Sequence, residues 1–392
     1  SLPLPIAIIT SEAISKSGVT RLNEILFEQT GLLTIPDFGG VEGIQVQGLD
    51  ASYTLILIDG VPLVGRSAGT LDLSRISVGN IDRIEIVKGA SSSLYGSEAL
   101  AGVINIITKK PKRDLLSGNL SYRYGSFETN DLNSNVVWKK NKFSGSIFAN
   151  YFNTNGYDLN ESTPEKTVEP FYNITIQPKF YYDFSDDLKL VVGNRYYNQK
   201  QDYKATIDDE KYKGNSNINE WNSQIKVTHK WNKKFYSEYE FYATNYKTDE
   251  FLNDSNKQLF EANFYKQWLF RPEVRTTWSF QKSKLTAGIG LNKETLNRTY
   301  FVSNVVFNSQ YAFLQYDYNP TDKWNILAGF RYDNHQEYQS QWSPKFAVNY
   351  KVNQNISLKS SIGYGFKAPD FRQLYFDFSN SAIGYAVFGY NV

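Results

Sequence analysis

The chain has 392 residues and a net charge of +2, from 42 basic and 40 acidic residues, and this balance does not indicate a nucleic-acid-binding protein. It contains no cysteine, which excludes disulfides, thiolate metal sites and a cysteine nucleophile. Two histidines are too few for a histidine-rich metal centre.

Residues 1–110 predict a compact α/β unit. Two short stretches, 10–14 and 20–26, have the capping and spacing of helical turns. Strands are predicted over 44–47, 53–58, 81–87 and 103–108, because their residues alternate or form apolar runs bounded by turn residues. We therefore assign residues 1–110 as one domain.

Residues 111–392 follow a different pattern. Apolar side chains recur at every second position: Trp324, Ile326 and Phe330 alternate with Asn325 and Arg331. A period of two predicts strands with one polar and one apolar face, and we count roughly 13 of them between 117 and 366. Aromatic residues form 16% of the chain. Many aromatic residues without a long apolar run are typical of a transmembrane β-barrel.

The predicted connections support the barrel. Short polar turns alternate with longer polar loops, placed around 153–174, 200–219, 248–263, 299–308 and 335–341. Outer-membrane barrels have this asymmetry, with the short turns on the periplasmic side. A soluble β-sandwich or propeller is the alternative, since its strands alternate too.

The barrel is expected to be truncated. An odd number of strands leaves an open edge, which a bilayer does not tolerate. The chain ends on Gly389-Tyr390-Asn391-Val392 without a closing strand, and it has neither methionine nor a recognisable signal peptide. We expect a processed or partial chain.

The stretch 89–110, GASSSLYGSEALAGVINIITKK, resembles a phosphate-binding loop only in composition. It lacks the Gly-Lys-Ser/Thr of a P-loop and the G-x-G-x-x-G order of a dinucleotide site. Taken alone, it is a glycine-rich turn between two strands.

Together with its neighbours, the stretch resembles the plug domain of TonB-dependent outer-membrane receptors. Five blocks occur in the expected order: VQGL at 46–49, LILIDGVP at 55–62, IDRIEIVKG at 81–89, SSLYGSEA at 92–99 and GVINIIT at 102–108. The residues that carry the motif are Gly48, Asp59, Gly60, Arg83, Glu85, Gly89, Tyr95, Gly96, Gly102 and Asn105. Arg83 and Glu85 belong either to a solvated strand face or to ionic contacts with the barrel wall. The segment 366–376 is similar to a barrel-loop motif of the haem-receptor branch.

The resemblance implies a fold and a mechanism. An α/β plug would be followed by an antiparallel barrel of about 22 strands, of which this chain would cover about the first 13. In such receptors an inner-membrane TonB complex pulls on the plug to release a captured ligand. The TonB-contacting box should precede Leu4-Pro5-Ile6 and is absent from this sequence.

The implied function is import of a scarce nutrient across the outer membrane of a Gram-negative bacterium. The cargo would be an iron complex, haem or a siderophore, and the alternatives are cobalamin, another metal chelate or a peptide. No cofactor is required, and haem or a ferric chelate would be the transported ligand. The expected partners are the TonB complex, outer-membrane lipids, the small-molecule ligand and a surface lipoprotein, without nucleic acid.

Two other classes of function are alternatives. A barrel enzyme would need a carboxylate pair or a Ser/His constellation, and the sequence offers no such motif. A surface adhesin, or a receptor used by phages or bacteriocins, would be a secondary use of the same loops.

Candidate ligand-binding residues are few. Phe38 and Arg66 lie on predicted plug loops and suit an anionic, aromatic ligand, although both are also ordinary loop residues. His335 shares the lumen-facing parity of Arg331 and Asp333, whereas His229 has the lipid-facing parity of a structural girdle residue. Tyr375 and Tyr385 could ligate iron or stack on a ring. No resident metal site is predicted.

Overall fold

The structure is a computed structural model. It describes residues 6–36, 42–66, 69–89, 91–111, 116–160, 162, 165–380 and 385–391. Within these residues no helix is long and apolar enough to cross a membrane. The predicted boundary at 110/111 lies in the connection between the first unit and the large sheet that follows.

The first unit contains short helices and a five-stranded sheet. Its elements are β1 (Ile6–Thr10), α1 (Ser11–Ser17), α2 (Leu22–Phe27), β2 (Leu32–Pro36), β3 (Glu42–Val46), β4 (Thr54–Ile58), β5 (Val61–Pro62), β6 (Ile81–Lys88), α3 (Ser92–Tyr95) and β7 (Gly102–Thr108). The sheet order is β1-β6-β7-β4-β5, and β2 pairs with β3 separately. Helix α1 begins after Thr10, whose hydroxyl accepts from the Ala13 N–H at 3.3 Å. The helices and strands predicted for this unit are confirmed.

The core of the first unit lies between the sheet and the helices. Leu26, Ile84 and Ile104 are each 0% exposed. Full burial of such a side chain contributes about 1.5–3 kcal/mol relative to its exposure. In β6 the buried isoleucines alternate with Arg83 and Glu85, so that the strand presents one apolar and one charged face.

The strands between residues 116 and 363 form one large antiparallel sheet. Its strands are β8 (Leu116–Gly125), β9 (Thr129–Lys140), β10 (Phe143–Thr154), β11 (Phe171–Asp183), β12 (Leu188–Ile207), β13 (Glu210–Asn232), β14 (Phe235–Asn253), β15 (Leu259–Ser279), β16 (Ser283–Arg298), β17 (Val305–Thr321), β18 (Trp324–His335), β19 (Gln341–Trp342), β20 (Lys345–Lys351) and β21 (Ser357–Gly363). The described sheet has 14 strands, of which the two-residue β19 pairs only with β18. The prediction of a plug followed by antiparallel strands is confirmed.

Strand β18 shows how the two faces differ. Leu327 and Arg331 point to the first unit and are 2% and 5% exposed. Trp324 and Phe330 point away from it and are each 41% exposed. The outward face is therefore apolar, as the period of two predicted.

Two predicted long loops are wrong. Only residues 254–258 connect β14 to β15, so most of the loop expected at 248–263 lies in those two strands. Residues 200–219, expected to be a long loop, lie in the paired ends of β12 and β13, which join through Asp208 and Asp209. Both aspartates have positive φ, 51° and 64°, as a tight two-residue hairpin turn requires. Polar composition suggested a loop, but a hairpin whose strands satisfy each other's backbone groups can be polar on both faces.

The large sheet curves around the first unit. Arg123 on β8 donates to the Gly18 carbonyl, and Arg331 on β18 donates to the Leu94 carbonyl. Strands β8 and β18 lie near opposite edges of the sheet, so contacts from both strands to one small unit require a concave sheet. We call this concave sheet the wall, and the first unit, which lies on its concave side, the plug.

The last described segment folds back onto the wall. It comprises α4 (Phe371–Tyr375), β22 (Asp377–Asn380) and β23 (Tyr385–Phe388). Asp370 caps α4, since its carboxylate accepts from the Gln373 N–H at 2.8 Å. The Phe371 ring stacks on Phe307 of β17 with centroids 4.0 Å apart. The helix thus covers the loop-side end of the wall near β17.

Candidate ligand-binding site

A cavity of about 220 Å³ lies between the plug and the wall. The plug contributes the loop after β5, including Arg66, and the segment around α3 from Leu94 to Glu98. The wall contributes β15 to β18, and the segment that leads into the first turn of α4 contributes Lys367 to Arg372. The three parts are distant in sequence, so the cavity exists only in the folded chain.

The wall side of the cavity is rich in guanidinium groups. Arg275 donates to the Glu273 carboxylate at 2.7 Å, and Arg271 lies 3.8 Å from the same carboxylate. Arg331 makes three hydrogen bonds to the Asp333 carboxylate, from 2.8 to 3.0 Å. The Arg331 guanidinium also stacks over the Tyr311 ring at 4.0 Å. These groups form a preorganised set of hydrogen-bond donors and aromatic faces.

Sequence analysis gave Arg331 and Asp333 the lumen-facing parity, but it missed the charged residues of β15. Arg271, Glu273 and Arg275 occupy alternate positions of β15, all on the face toward the plug. Charges at a period of two within an otherwise aromatic strand were the available signal. The same parity argument places Arg331 and Asp333 together on β18.

Arg66 lines the cavity, as its predicted role requires. Its guanidinium donates to the Thr54 carbonyl at 2.9 Å and lies 3.8 Å from the Glu98 carboxylate. The preceding residue, Gly65, donates its N–H to the side chain of Gln267 on the wall at 2.9 Å. The loop that carries Arg66 is therefore held by plug and wall together.

His335 also lines the cavity, at the end of β18. Its ring stacks on Tyr338 at 3.8 Å and meets Phe307 edge-on at 5.0 Å. The Glu337 N–H donates to His335 Nδ1 at 3.0 Å. In a neutral imidazole this bond leaves the proton on Nε2, so neither nitrogen has a free lone pair for a metal.

The other candidates do not converge on the cavity. Tyr375 lies on α4 and donates to the Glu337 carboxylate at 2.8 Å, outside the lining. The backbone of Tyr385 pairs with Asn380 in the hairpin β22–β23. Phe38 lies outside the described residues. His229 has the outward parity expected of a girdle residue and packs against Trp231 with centroids 4.1 Å apart.

The glycines of the plug motif serve either close contacts or backbone conformations with positive φ. An added Cβ at Gly102 would collide with the Val87 carbonyl oxygen of the neighbouring strand. At Gly96, where φ is 88°, it would lie 3.1 Å from the Arg331 guanidinium. Gly48, Gly60 and Gly89 also have positive φ. Glycine allows the contacts at Gly96 and Gly102, and the positive φ at the other three positions, at no steric cost.

Asp59 joins the plug to the wall. Its carboxylate accepts from the Thr108 N–H at 3.0 Å and hydroxyl at 2.6 Å, and from the Lys179 ammonium at 2.8 Å. Burial would raise the pKa of Asp59, but the charge and hydrogen bond of Lys179 and the bonds from Thr108 outweigh it, so the pKa is lowered. The neighbouring Gly60 N–H donates to Asn105 at 3.1 Å. Asp59 and Gly60, which follow β4, are thus hydrogen-bonded to Thr108 and Asn105 of β7. Asp59 also joins the plug to the wall through Lys179.

The remaining motif residues have local roles. The Arg83 guanidinium lies 2.8 Å from Glu85 and 3.2 Å from Asp82, both on its own strand, and is 41% exposed. This geometry matches the solvated-face interpretation of Arg83 and Glu85. Tyr95 lines the cavity and packs against the cluster formed by Leu55, Leu57, Ala99 and Val103.

A second plug–wall anchor could not be anticipated from sequence. Glu220 of β13 lies 2.7 Å from Arg195 of β12 and 3.3 Å from Arg75 of the plug. All three side chains are at most 5% exposed. Two buried cations compensate one buried anion, a grouping that costs several kcal/mol to disrupt by removing a single member.

Within the described residues, no group of three His, Cys, Asp or Glu side chains could hold a metal ion. The cavity is instead a set of arginines, carboxylates and aromatic rings. Such a lining suits a bound molecule with anionic oxygens and flat rings.

Two family models match the chain. Residues 1–103 match the TonB-dependent receptor plug domain, and residues 106–391 match the TonB-dependent receptor-like β-barrel. The curated relatives include the vitamin B12 transporter BtuB of Vibrio cholerae, 26% identical over 94% of this chain and 61% of that protein. BtuB of Photobacterium profundum is 23% identical over 95% of this chain and 60% of that protein.

Solved structures share the fold. The siderophore receptor PirA from Acinetobacter baumannii has a TM-score of 0.80 at 19% identity, over 94% of this chain and 62% of that one. A mutant of the ferric enterobactin receptor PfeA from Pseudomonas aeruginosa, in complex with enterobactin, has a TM-score of 0.80 at 18% identity, over 95% of this chain and 64% of that one. These likenesses establish the fold alone. The chain spans about three fifths of the length of the relatives it matches.

Proposed function

The chain belongs to the TonB-dependent receptor family, and from that premise we propose that it serves in the active import of a scarce metal chelate across the outer membrane of a Gram-negative bacterium. The chelate is an iron complex, and a ferric siderophore fits the site better than haem. The family is one of receptors, so no enzymatic reaction is proposed.

The composition of the cavity carries the proposal. The cationic groups that line it are Arg66, Arg271, Arg275, Arg298, Arg331, Lys367 and Arg372. The carboxylates are Glu98, Glu273, Glu294, Asp333 and Asp370, which leaves an excess of two positive charges. Arginines next to aromatic rings bind oxygen-rich, aromatic anions through hydrogen bonds and cation–π contacts. A ferric catecholate complex has this chemistry.

Haem is the weaker of the two iron cargoes. The resemblance of segment 366–376 to the haem-receptor branch is an argument for it. However, the Phe371 ring of this segment is engaged by Phe307, and His335 Nδ1 is engaged by the Glu337 N–H. An axial role for His335 would require that hydrogen bond to break.

Release of the cargo requires energy, since buried charged anchors hold the plug in the wall. The outer membrane has no nucleotide supply, so we infer that the TonB complex of the inner membrane supplies the force. Outer-membrane lipids surround the apolar outward face, and a surface lipoprotein could deliver the chelate.

Cobalamin is the second candidate, because the curated relatives reported above are named vitamin B12 transporters. Cobalamin is a large corrinoid that presents amides, whereas the ferric catecholate presents anionic oxygens. The affinity for the ferric catecholate should therefore fall when a cavity arginine is removed, whereas the affinity for cobalamin should depend less on these arginines.

The test is a titration of the detergent-purified protein with a ferric catecholate siderophore, haemin or cyanocobalamin, followed by quenching of tryptophan fluorescence. We expect saturable binding of the ferric siderophore, about tenfold weaker in Arg66→Gln, since a hydrogen bond to a charged group contributes about 1.5 kcal/mol. Arg83→Gln is the matched control, because it removes one plug arginine outside the cavity.

Each other outcome changes the conclusion. Binding of cyanocobalamin alone would overturn the iron-complex proposal and favour a corrinoid receptor. Haemin binding with a Soret shift that is lost in His335→Ala would make haem the cargo and His335 its ligand. Equal siderophore binding by Arg66→Gln and Arg83→Gln would remove Arg66 from the site.

A further inference from the structure

We propose that Glu294 binds a positively charged group of the cargo, so that the receptor prefers a ferric chelate with an alkylammonium arm. The Glu294 side chain is half-buried on β16 and lines the cavity between plug and wall. The inference rests on the proposed function, because it adds a second recognition point to the same cavity. It concerns the part of the chelate that does not bind the metal.

The other four carboxylates that line the cavity are compensated. Three of them form ion pairs with an arginine, and the fourth accepts a backbone N–H as a helix cap. The partners are Glu98 with Arg66, Glu273 with Arg275, Asp333 with Arg331, and Asp370 with the Gln373 N–H.

Glu294 is the exception among these carboxylates. No described residue forms an ion pair with it, and the one hydrogen bond that it accepts from the described part of the chain comes from the neutral amide of Gln267. Lys367 lines the same cavity without forming an ion pair with Glu294. The charge of Glu294 therefore has no direct partner within the described residues.

The neighbours of Glu294 on the wall are apolar. Its direct partners in the two strand ladders are Leu269 of β15 and Phe307 of β17. These side chains are 6% and 5% exposed. A carboxylate between them loses much of its hydration, which is costly until a cation or several donors reach it. A cation therefore gains more from Glu294 than from a carboxylate in bulk water.

Gln267 fixes the position of the Glu294 carboxylate. The side-chain oxygen of Gln267 accepts from the Gly65 N–H at 2.9 Å and from the Tyr265 hydroxyl at 2.8 Å. Because the oxygen is occupied, the amide nitrogen is the group that donates to Glu294 Oε1. The second carboxylate oxygen, Oε2, accepts from no described residue and is left for a donor on the cargo.

An ammonium suits this position better than a metal ion. A divalent cation requires several oxygen ligands, and the described residues contain no group of three His, Cys, Asp or Glu side chains that could hold one. An alkylammonium can pair with the Glu294 carboxylate alone, and the cavity arginines remain available to the catecholate oxygens. The cargo would then have anionic oxygens and one cationic arm.

The test compares two ferric tris-catecholate chelates that differ at one nitrogen. One chelate has a free alkylammonium arm, and in the other this nitrogen is acetylated and has no charge. Each chelate is titrated into the detergent-purified protein, and quenching of tryptophan fluorescence gives its affinity. We expect the wild type to bind the ammonium chelate about tenfold more tightly, since hydrogen bonds between charged groups are the stronger ones.

Glu294→Gln should abolish this preference, so that the two chelates bind with equal affinity. The variant removes the charge but keeps the size of the side chain and an acceptor for Gln267. Glu261→Gln is the matched control, because Glu261 lies on the same face of β15 as Gln267 but outside the cavity lining. The control should retain the preference, which excludes an effect of net charge alone.

The outcomes separate this inference from the import function. Equal affinities in the wild type, or a preference that persists in Glu294→Gln, would overturn the inference and leave the import function standing. Weaker binding of the acetylated chelate by Glu294→Gln would give Glu294 a structural role and also overturn the inference. If the wild type bound neither chelate, the proposed function would fail, and this inference with it.

Discussion

Asp59 is a motif residue whose role depends on one distant cation. The Asp59 and Lys179 side chains are 10% and 8% exposed, and their ion pair joins plug to wall at 2.8 Å. We expect Asp59→Asn to destabilise the protein at pH 7 by about 3 kcal/mol, because it leaves the Lys179 charge buried without a partner. Denaturant midpoints of the wild type and variant measure the difference. The double variant Asp59→Asn/Lys179→Met should recover most of the loss, and no recovery would contradict the pairing.

The same residue predicts a pH dependence. The pKa of Asp59 is lowered in the folded protein from an ordinary value of 3.8. Its contribution to stability is therefore complete above about pH 4 to 5, and is lost as pH falls through the lower folded value. The gap in midpoint between wild type and Asp59→Asn should thus be constant from pH 5 to 7 and shrink below about pH 4. A gap that widened in acid would contradict the lowered pKa.

The helix α4 is too short to be stable by itself, so its docking depends on the apolar contacts of Phe371 and Leu374. We expect Phe371→Ala to release it, because truncating a buried phenylalanine costs about 3 kcal/mol. The amides of Leu374 and Phe376, which donate to Asp370 and Arg372, report the change. Their hydrogen exchange should accelerate about 100-fold. Phe388→Ala is the control, since Phe388 is 59% exposed; equal acceleration in both variants would show that Phe371 does not dock the helix.

The proposed import function requires the contacts between plug and wall to open. Ser77 of the plug donates to the Asn133 side chain of β9 at 3.0 Å, and the chain has no cysteine of its own. In Ser77→Cys/Asn133→Cys, the oxidised protein should bind the ferric siderophore normally but take up none into cells, and a reductant should restore uptake. Uptake of labelled iron by cells measures this, with each single cysteine variant as control. Full uptake in the oxidised state would mean that the plug does not need to part from β9.

Local patterns in the sequence were sufficient to predict most of the helices and strands, and the face of a strand on which each side chain lies. A period of two separates Leu327 and Arg331 from Trp324 and Phe330 before any tertiary contact is known, because successive side chains on a strand point to opposite sides. Glycines such as Gly102 identify close backbone approaches, and five ordered blocks identify the plug. The predicted loop at 200–219 failed because polar composition does not distinguish a loop from a hairpin that extends beyond the apolar part of the wall.

The sequence by itself determined the plug, the alternating strands and the side of the wall on which each charge lies. Only the tertiary structure decided which charges meet. Asp59 and Lys179 are 120 residues apart in sequence. Whether they meet depends on the register of every strand between them and on the position of the plug within the curved wall. The position of a residue in a strand determines the face on which its side chain lies. Its contact with another element depends on the register and curvature of the whole sheet, which a local sequence pattern does not determine.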